Sequence, residues 1–231
     1  MNYPVFVASC SPRRGGNTDF AAHLIQEVLS PLVQVVRVAD CRIRPCTSCG
    51  FCAEHPGQCL LDSMEPVHFS NDIDRESLKH PAVSGTEQAL SDIQRVGMEQ
   101  KGTAAGDDAA RLFNALCSSS FSFIVSPVYF YHVPAQAKAW IDRTQRYWSS
   151  TPGSGGILAA VLIGARPRGA RLFEGARLTL RYMAAALGMK TVDALCLYGL
   201  DGPQALALDK GSQTRILEYA RQVAGMSSVA L

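Results

Sequence analysis

Short apolar segments rich in β-branched and aromatic residues alternate five times with helical segments along this chain of 231 residues. The strands are predicted at 3–9, 33–38, 121–126, 157–164 and 191–197. The helices are predicted at 18–30, 107–116, 134–148, 170–187 and 203–224. Strands that are joined by helical crossovers lie parallel, so this order predicts an α/β fold in which helices cover both faces of a parallel sheet.

Composition excludes several other classes of protein. Hydrophobic residues make up 47% and charged residues 18% of the chain, which is typical of a globular domain. The net charge of +2 comes without a clustered basic run, so we expect no nucleic-acid partner. Neither a signal-peptide pattern nor the apolar run of ~20 residues that a membrane helix needs is found. We therefore expect a single cytoplasmic domain over 1–231, without a membrane partner, whose cysteines are thiols or ligands before disulfides.

The loop between the first strand and the first helix has residue types that favour a phosphate. Parallel strands place such loops at the carboxyl edge of the sheet, where ligands bind, and the amides at a helix start attract anions. The candidate phosphate-binding residues are Ser9, Ser11, Arg13, Gly16, Asn17 and Thr18. An ordinary turn capped by Asn17 or Thr18 is the alternative. Walker and dinucleotide G-x-G-x-x-G patterns are missing, and a phosphatase loop would need arginine where Gly16 follows Cys10.

A second loop, after the third strand, is rich in proline and aromatic residues. The residues that would flank a flat ring are Pro127, Val128, Tyr129 and Phe130. A hydrophobic lip that packs on a helix or a subunit is the alternative reading. Because this loop and the phosphate loop follow strands of the same parallel sheet, together they predict one ligand that carries a phosphate and a planar ring.

Two stretches of the sequence resemble a known family. S-P-R-x-x-G-N-T begins at Ser11, and S-P-V-Y-F-x-x-V-P-A-Q-x-K-A-x-I-D-R runs from Ser126 to Arg143. Together they resemble the NADPH-dependent FMN reductase family, within the flavodoxin-like superfamily. The resemblance covers about 1–64 and 107–200, and it implies a three-layer fold with a five-stranded parallel sheet in the order 2-1-3-4-5. Residues 65–106 depart from it as an insertion, which we expect to cover the site or to reach a neighbouring subunit.

The resemblance also implies roles for individual residues. Ser11, Arg13, Asn17 and Thr18 would hold the FMN phosphate, and the loop from Pro127 to Phe130 would border the isoalloxazine. Gly164 and Arg166 follow the fourth strand, where Arg166 would contact the ring or a nicotinamide phosphate; a solvated basic turn is the alternative. The residues Lys138, Asp142 and Arg143 are expected to be structural.

The function that follows from the resemblance is that of an FMN-dependent oxidoreductase. Its electron donor would be NADPH or NADH, or a small redox protein such as ferredoxin. A quinone or nitro-compound reductase that uses the same FMN, and a non-enzymatic electron carrier or thiol redox sensor, are the alternatives. No side chain is required as an acid–base catalyst, because the flavin carries the chemistry. A homodimer or homotetramer is expected, since Tyr129, Phe130, Tyr131, Tyr147 and Trp148 make an unusually aromatic surface.

Five cysteines lie within residues 40–64. Four of them, Cys46, Cys49, Cys52 and Cys59, follow the spacing C-x2-C-x2-C-x6-C, which is typical of iron–sulfur ligation. The pattern resembles the cysteine motif of iron–sulfur flavoproteins, in which a [4Fe–4S] cluster relays electrons close to FMN. The spacing therefore predicts a cluster. Because the loop leaves the second strand at the same sheet edge as the phosphate loop, we expect that cluster to lie near the flavin. A zinc site that includes His55 and free, redox-active thiols are the alternatives.

Overall fold

Six strands, each parallel to its neighbours, form the sheet in a computed structural model that describes residues 5–29, 33–63, 107–169 and 171–228. The strands are β1 (Val5–Ser9), β2 (Val33–Arg37), β3 (Phe121–Pro127), β4 (Ile157–Ile163), β5 (Lys190–Thr191) and β6 (Leu195–Leu197). Their order is β2-β1-β3-β4-β5, and β6 pairs with β4 next to β5. The predicted α/β class and the strand order 2-1-3-4-5 are therefore confirmed.

Helices lie on both faces of this sheet. They are α1 (Asn17–Leu29), α2 (Phe51–Glu54), α3 (Leu60–Ser63), α4 (Ala109–Cys117), α5 (Ala135–Asp142), α6 (Glu174–Ala186), α7 (Ala205–Leu208) and α8 (Lys210–Ser228). Two 3₁₀ helices, Val38–Asp40 and Arg143–Tyr147, follow β2 and α5. Over the described ranges, the helices are too short or too polar to cross a membrane.

The side chains of β1 show how the sheet divides the core in two. Val5 and Val7 belong to the apolar cluster that contains the buried faces of α1 and α8, whereas Phe6 and Ala8 belong to the cluster of α4, α5 and α6. All four side chains are buried. Successive side chains of a strand point to opposite faces, so a sheet that is covered on both faces requires strands without polar alternation. The unbroken apolar runs of the sequence meet this requirement.

The fifth predicted strand, 191–197, is present as β5 and β6 with a bulge between them. Leu158 of β4 pairs with Thr191, and Val161 of β4 pairs with Leu195. Between these two pairs, two residues of β4 therefore lie opposite three residues of the edge strand, 192–194. One extra residue on one strand is the definition of a β-bulge, and it separates the two short strands.

Tyr147 differs from the sequence-based expectation. The predicted helix 134–148 ends as α5 at Asp142, and the tighter 3₁₀ turn that follows carries Tyr147 into the core. Its ring packs edge-on against Phe113 with a centroid distance of 5.5 Å. Trp148, the next residue, is 70% exposed as expected. Tyr147 is therefore not part of the exposed aromatic surface that was predicted.

The last predicted helix, 203–224, is divided at Asp209. The Asp209 carboxylate accepts hydrogen bonds from the N–H and the hydroxyl of Ser212, at 3.1 and 2.9 Å, and so caps the start of α8. These hydrogen bonds lower the pKa of Asp209. α7 ends just before it, so the chain turns between two helices where the sequence suggested one.

One arginine connects several segments in the helical layer beside β3. The Arg143 guanidinium donates to Asp107 at 2.8 Å, to Asp62 at 2.6 Å and to the carbonyl oxygen of Arg44 at 3.1 Å. The side chains of Arg143 and Asp107 are both fully buried. This assigns Arg143 the structural role that was expected. The insertion 65–106 lies outside the described residues, but Asp62 and Asp107 stand on either side of it.

We predict that replacing Arg143 with leucine lowers the free energy of unfolding by about 3–5 kcal/mol, because the buried Asp107 then loses its closest cation and, among the described residues, keeps only the Arg44 guanidinium, 3.7 Å away. Urea unfolding of the purified protein measures this loss. Lys138→Ala is the matched control, since it breaks the exposed pair with Asp142 and should cost no more than about 1 kcal/mol. Equal, small losses for both variants would contradict the importance assigned to Arg143.

Candidate functional site

Four loops meet at the carboxyl edge of the sheet. They are the β1–α1 loop (10–16), the β3–α5 loop (128–134), the β4–α6 loop (164–173) and the β6–α7 loop (198–204). Hydrogen bonds from Cys10 N–H to Val125, and from Val128 N–H to Ile163, link neighbouring strand ends at 2.9 and 2.8 Å. The predicted residues of the phosphate loop, the aromatic loop and the Gly164–Arg166 turn therefore lie along one edge.

The start of α1 presents unpaired hydrogen-bond donors. Among the described residues, the N–H groups of Gly16, Asn17 and Thr18 have no acceptor, and neither does the Thr18 hydroxyl. Ser11 is buried, and its hydroxyl accepts the N–H of Arg13 at 3.1 Å, which leaves its own proton available. The positive end of the helix dipole lies at the same point. This arrangement can bind an anion.

The side chain of Asn17 connects two loops and is not available to an anion. Its amide nitrogen donates to the carbonyl oxygens of Gly202 and Leu200 at 2.8 and 3.3 Å, and its amide oxygen accepts the N–H of Leu206 at 3.0 Å. Asn17 therefore ties the β1–α1 loop to the β6–α7 loop. Its backbone N–H is what it offers to an anion. No sequence pattern indicates this contact apart from the turn residues that follow the fifth strand.

Asp19 and Arg37 organise the phosphate loop, and sequence reasoning missed both. The Asp19 carboxylate accepts the N–H of Gly15 at 2.8 Å and the hydroxyl of Ser9 at 2.6 Å. The Ser9 side chain is thereby engaged inside the loop. An acidic residue in the first turn of α1 was the available signal, because a carboxylate at this position caps a helix start.

Arg37, at the end of β2, holds the loop from the other side. Its Nε contacts both carboxylate oxygens of Asp19 at 3.1 Å, and its Nη2 donates to the carbonyl oxygens of Ser11 and Arg13 at 3.3 and 3.0 Å. Nη1 bonds to Asp40 at 2.9 Å. Partial burial opposes the charge, but the two aspartates outweigh it and raise the pKa of Arg37. The carboxylate inside the loop is therefore neutralised by a permanent cation.

The aromatic loop forms a small hairpin. Tyr129 and His132 exchange both backbone hydrogen bonds, at 2.8 and 3.0 Å, so Phe130 and Tyr131 occupy the two turn positions. Pro127 and Val128 are half-buried at its base. Among the described residues, the N–H groups of Phe130 and Tyr131 have no acceptor. Hydrogen-bond donors and apolar surface are thus combined at this part of the edge.

The β4–α6 turn contributes Gly164 and Arg166. A Cβ atom on Gly164 would lie 2.7 Å from a methyl group of Leu172 and 3.2 Å from the ring of Phe173, so packing requires glycine there. The exposed Arg166 donates from Nη1 to the hydroxyl of Tyr131 at 2.7 Å. The turn and the aromatic hairpin are therefore in direct contact.

The four cysteines of the predicted cluster do not converge. In the described part of the chain, no three histidine, cysteine, aspartate or glutamate side chains lie close enough together to hold a metal ion. Cys46 and Cys49 are exposed, and Cys52 and Cys59 are half-buried. The residues as arranged do not fit a [4Fe–4S] cluster, and the structure gives that prediction no support. The same observation gives the zinc alternative no support, and His55 stacks on Phe51 with 4.1 Å between ring centroids.

The path of the cysteine loop also differs from expectation. Gly57 N–H donates to the carbonyl oxygen of Arg146 at 2.9 Å, and Arg146 pairs with Asp62. Arg146 belongs to the 3₁₀ helix after α5, and the chain runs from there to the start of β4. The Cys59 end of the loop therefore lies toward the amino edge of the sheet, away from the phosphate loop, and not beside it as the start of the loop after the second strand suggested.

We predict that iodoacetamide labels Cys46 and Cys49 in the native protein at pH 8, whereas Cys10 is labelled only after unfolding. Burial raises the pKa of the Cys10 thiol to about 12, so roughly one molecule in ten thousand carries the thiolate at that pH. Mass spectrometry of peptides from timed samples measures the order of labelling. Cys46→Ser serves as the control, since it should remove one fast site and leave Cys10 protected. Labelling of Cys10 at the rate of Cys46 would contradict the burial.

Solved structures with the same architecture support the fold. An NADH:FMN oxidoreductase in its apo form has a TM-score of 0.51 at 13% sequence identity, covering 96% of this chain and 88% of that chain. An FMN-dependent NADH-azoreductase from Bacillus anthracis, in complex with FMN, has a TM-score of 0.53 at 11% identity, covering 95% and 99%. An NAD(P)H:quinone oxidoreductase from Methanothermobacter marburgensis has a TM-score of 0.50 at 15% identity, covering 94% and 92%.

At these identities the likeness concerns the fold alone. No curated protein matches the sequence. A family described as having the flavodoxin-like fold matches residues 72–220, which is more than half of the chain. The sheet order and the four loops at its carboxyl edge agree with that assignment. The chain therefore belongs to the flavodoxin-like fold family.

Proposed function

We propose that this protein is an FMN-dependent oxidoreductase that takes electrons from NADH or NADPH and passes them to a small acceptor. The observation that carries the proposal is the set of unpaired donors at the start of α1, next to the apolar, donor-bearing hairpin of the β3–α5 loop. A ligand with a terminal phosphate and a flat heteroaromatic ring satisfies both parts of the edge. FMN has this form.

The phosphate subsite would be built mainly from backbone groups. The N–H groups of Gly16, Asn17 and Thr18 would bind the phosphate oxygens, and the hydroxyls of Ser11 and Thr18 add further donors. The exposed Arg13 has no side-chain partner among the described residues, and its stem lies against Gly16, where a Cβ would be 3.6 Å from its Cδ. Its guanidinium is available to the same phosphate.

The ring subsite would lie at the end of β3, next to the phosphate subsite at the end of β1. Pro127 and Val128 would give it an apolar wall, and the free N–H groups of Phe130 and Tyr131 would bond to the polar edge of the isoalloxazine. When bound, FMN supplies the hydride and electron chemistry. The protein binds and orients it, and no side chain at this edge is assigned a proton transfer.

The solved structures of similar fold are consistent with this reading. Those named above are an NADH:FMN oxidoreductase, an FMN-dependent NADH-azoreductase and an NAD(P)H:quinone oxidoreductase. They support the choice of FMN and of a nicotinamide donor, and with it the reading as an enzyme. The proposal contains no iron–sulfur step, because the cysteine thiols are not arranged to hold a cluster.

We predict that the protein binds FMN more tightly than riboflavin, and that Arg13→Ala weakens FMN binding by about 1.5–3 kcal/mol, which is roughly tenfold to 150-fold. Quenching of flavin fluorescence gives both dissociation constants. Arg14→Ala is the matched control, since this neighbouring side chain pairs with Asp40 and should leave FMN binding nearly unchanged. Equal affinity of the native protein for FMN and riboflavin would refute the phosphate subsite.

We further predict that the FMN-loaded protein oxidises NADH or NADPH at steady state when ferricyanide is supplied as acceptor. The decrease of absorbance at ~340 nm measures the rate, and the protein without FMN is the control. A loaded protein that binds FMN but oxidises neither nucleotide would be an electron carrier, and the enzymatic part of the proposal would fail.

A further inference from the structure

The turn at the tip of the aromatic hairpin is strained. Phe130 and Tyr131 have φ angles of +48° and +65°, in the left-handed region. A two-residue turn with both central residues there favours Asn-Gly or Gly-Gly, because a side chain with a Cβ atom is crowded in this conformation. A bulky residue in it is a genuine outlier. Two aromatic residues in succession are therefore an unfavourable choice for this backbone.

Contacts on both sides of the turn hold it in place. The ring of His132 lies 2.9 Å from the hydroxyl of Thr179 on α6, and the Tyr131 hydroxyl accepts from Arg166. Gly175, in the first turn of α6, allows close approach, since a Cβ there would be 2.9 Å from the carbonyl oxygen of Tyr131. The surrounding structure thus determines the strained conformation, which is the condition under which such strain persists.

No stabilising contact of the Phe130 side chain with the described residues offsets the strain of the turn. Its side chain is 99% exposed, so it buries no apolar surface among the described residues. Glycine at this position would relieve the backbone and lose no packing. Tyr131, in contrast, has a partner in Arg166. Among the described residues, the ring of Phe130 is explained neither by packing nor by the turn, which favours contact with a bound molecule.

The surroundings of Phe130 indicate what kind of molecule this is. The ring stands at the carboxyl edge, two residues beyond the half-buried Val128. The next residue, Tyr131, holds Arg166 both through its hydroxyl and with the guanidinium carbon 5.6 Å from the Tyr131 ring centroid. An exposed aromatic side chain whose neighbour in the turn holds a cation suits a planar aromatic compound with an anionic substituent.

We propose that Phe130 is a specificity-determining residue whose strained turn presents its ring to stack on a planar, anionic aromatic electron acceptor. The assignment rests on the proposed function, because the acceptor must approach the bound flavin. The turn fixes the backbone at Phe130 before the acceptor arrives, so little backbone freedom is lost on binding. A glycine turn would be more stable and would bind such an acceptor less well.

The test combines a measurement of stability with one of selectivity. Phe130→Gly should raise the thermal midpoint of the protein without FMN by roughly 2–4 °C, since about 1 kcal/mol of strain corresponds to that shift in a chain of this size. With FMN bound, we expect the ratio of kcat/KM for anthraquinone-2-sulfonate to that for ferricyanide to fall about tenfold. Ferricyanide is an anion without an aromatic ring, so the ratio isolates stacking.

Two further variants separate the ring from other effects. Phe130→Tyr keeps an aromatic ring and should restore the ratio. Trp148→Ala removes another exposed aromatic side chain, at the end of the 3₁₀ helix after α5. This variant should leave the ratio unchanged and should not raise the thermal midpoint. Trp148 has an ordinary helical φ of −61°, so its replacement relieves no strain.

Each outcome of these measurements overturns a different part of the proposal. A lower thermal midpoint for Phe130→Gly would show that the ring packs on the chain, and would overturn the proposal. An unchanged ratio would do the same, and a simultaneous change of oligomeric state in light scattering would assign the ring to contact with a second copy instead. Failure of the native protein to bind FMN overturns the proposed function, whereas FMN binding with an unchanged ratio overturns the assignment to Phe130 alone.

Discussion

The fully buried ion pair between Arg143 and Asp107 connects parts of the chain that no strand joins. Taking two charges out of water is costly, and good hydrogen-bond geometry offsets part of that cost. Both Nη atoms of Arg143 have partners, whereas its buried Nε has none among the described residues. Arg143 reaches Asp107, Asp62 and a backbone carbonyl, so the end of α5, the segment before α4 and the cysteine loop are held at one point. A shift of any of these segments would break a short hydrogen bond of the Arg143 guanidinium. The position of the whole helical layer beside β3 is thereby restricted.

A smaller set of ion pairs and hydrogen bonds likewise holds the loops at the carboxyl edge of the sheet. Asp19 places a negative charge inside the phosphate loop, which by itself would repel a phosphate. Arg37 neutralises that charge and bonds to the loop carbonyls, so the field of the α1 dipole remains available to a ligand. The aromatic hairpin is likewise held by contacts to α6 and the β4–α6 turn. Both halves of the site are therefore set by the protein before any ligand binds, which lowers the cost of binding.

The strands and the loops at the carboxyl edge were predictable, because β3 and β4 are buried on both faces and their sequences are largely apolar. The strand order followed from the family resemblance. The cysteine spacing is a weaker guide, since it constrains distance along the chain and not direction in space, and the described residues give the predicted cluster no support. Asp19 and Arg37 escaped notice because their roles depend on a contact between two strand ends. The partners of Asn17 lie more than 180 residues away, which no local pattern reveals.

The bulge between β5 and β6 has a consequence for the behaviour of the protein in solution. The outer strand of a sheet offers unpaired amide and carbonyl groups, which can recruit the same strand of another molecule and start aggregation. Here that strand is broken into segments of two and three residues, and the residues between them are turned out of register with β4. Asp193, in the bulge, is exposed and pairs with Arg177. A short, interrupted and charged border is a poor template for a further strand, so the open side of the sheet is protected without a covering helix.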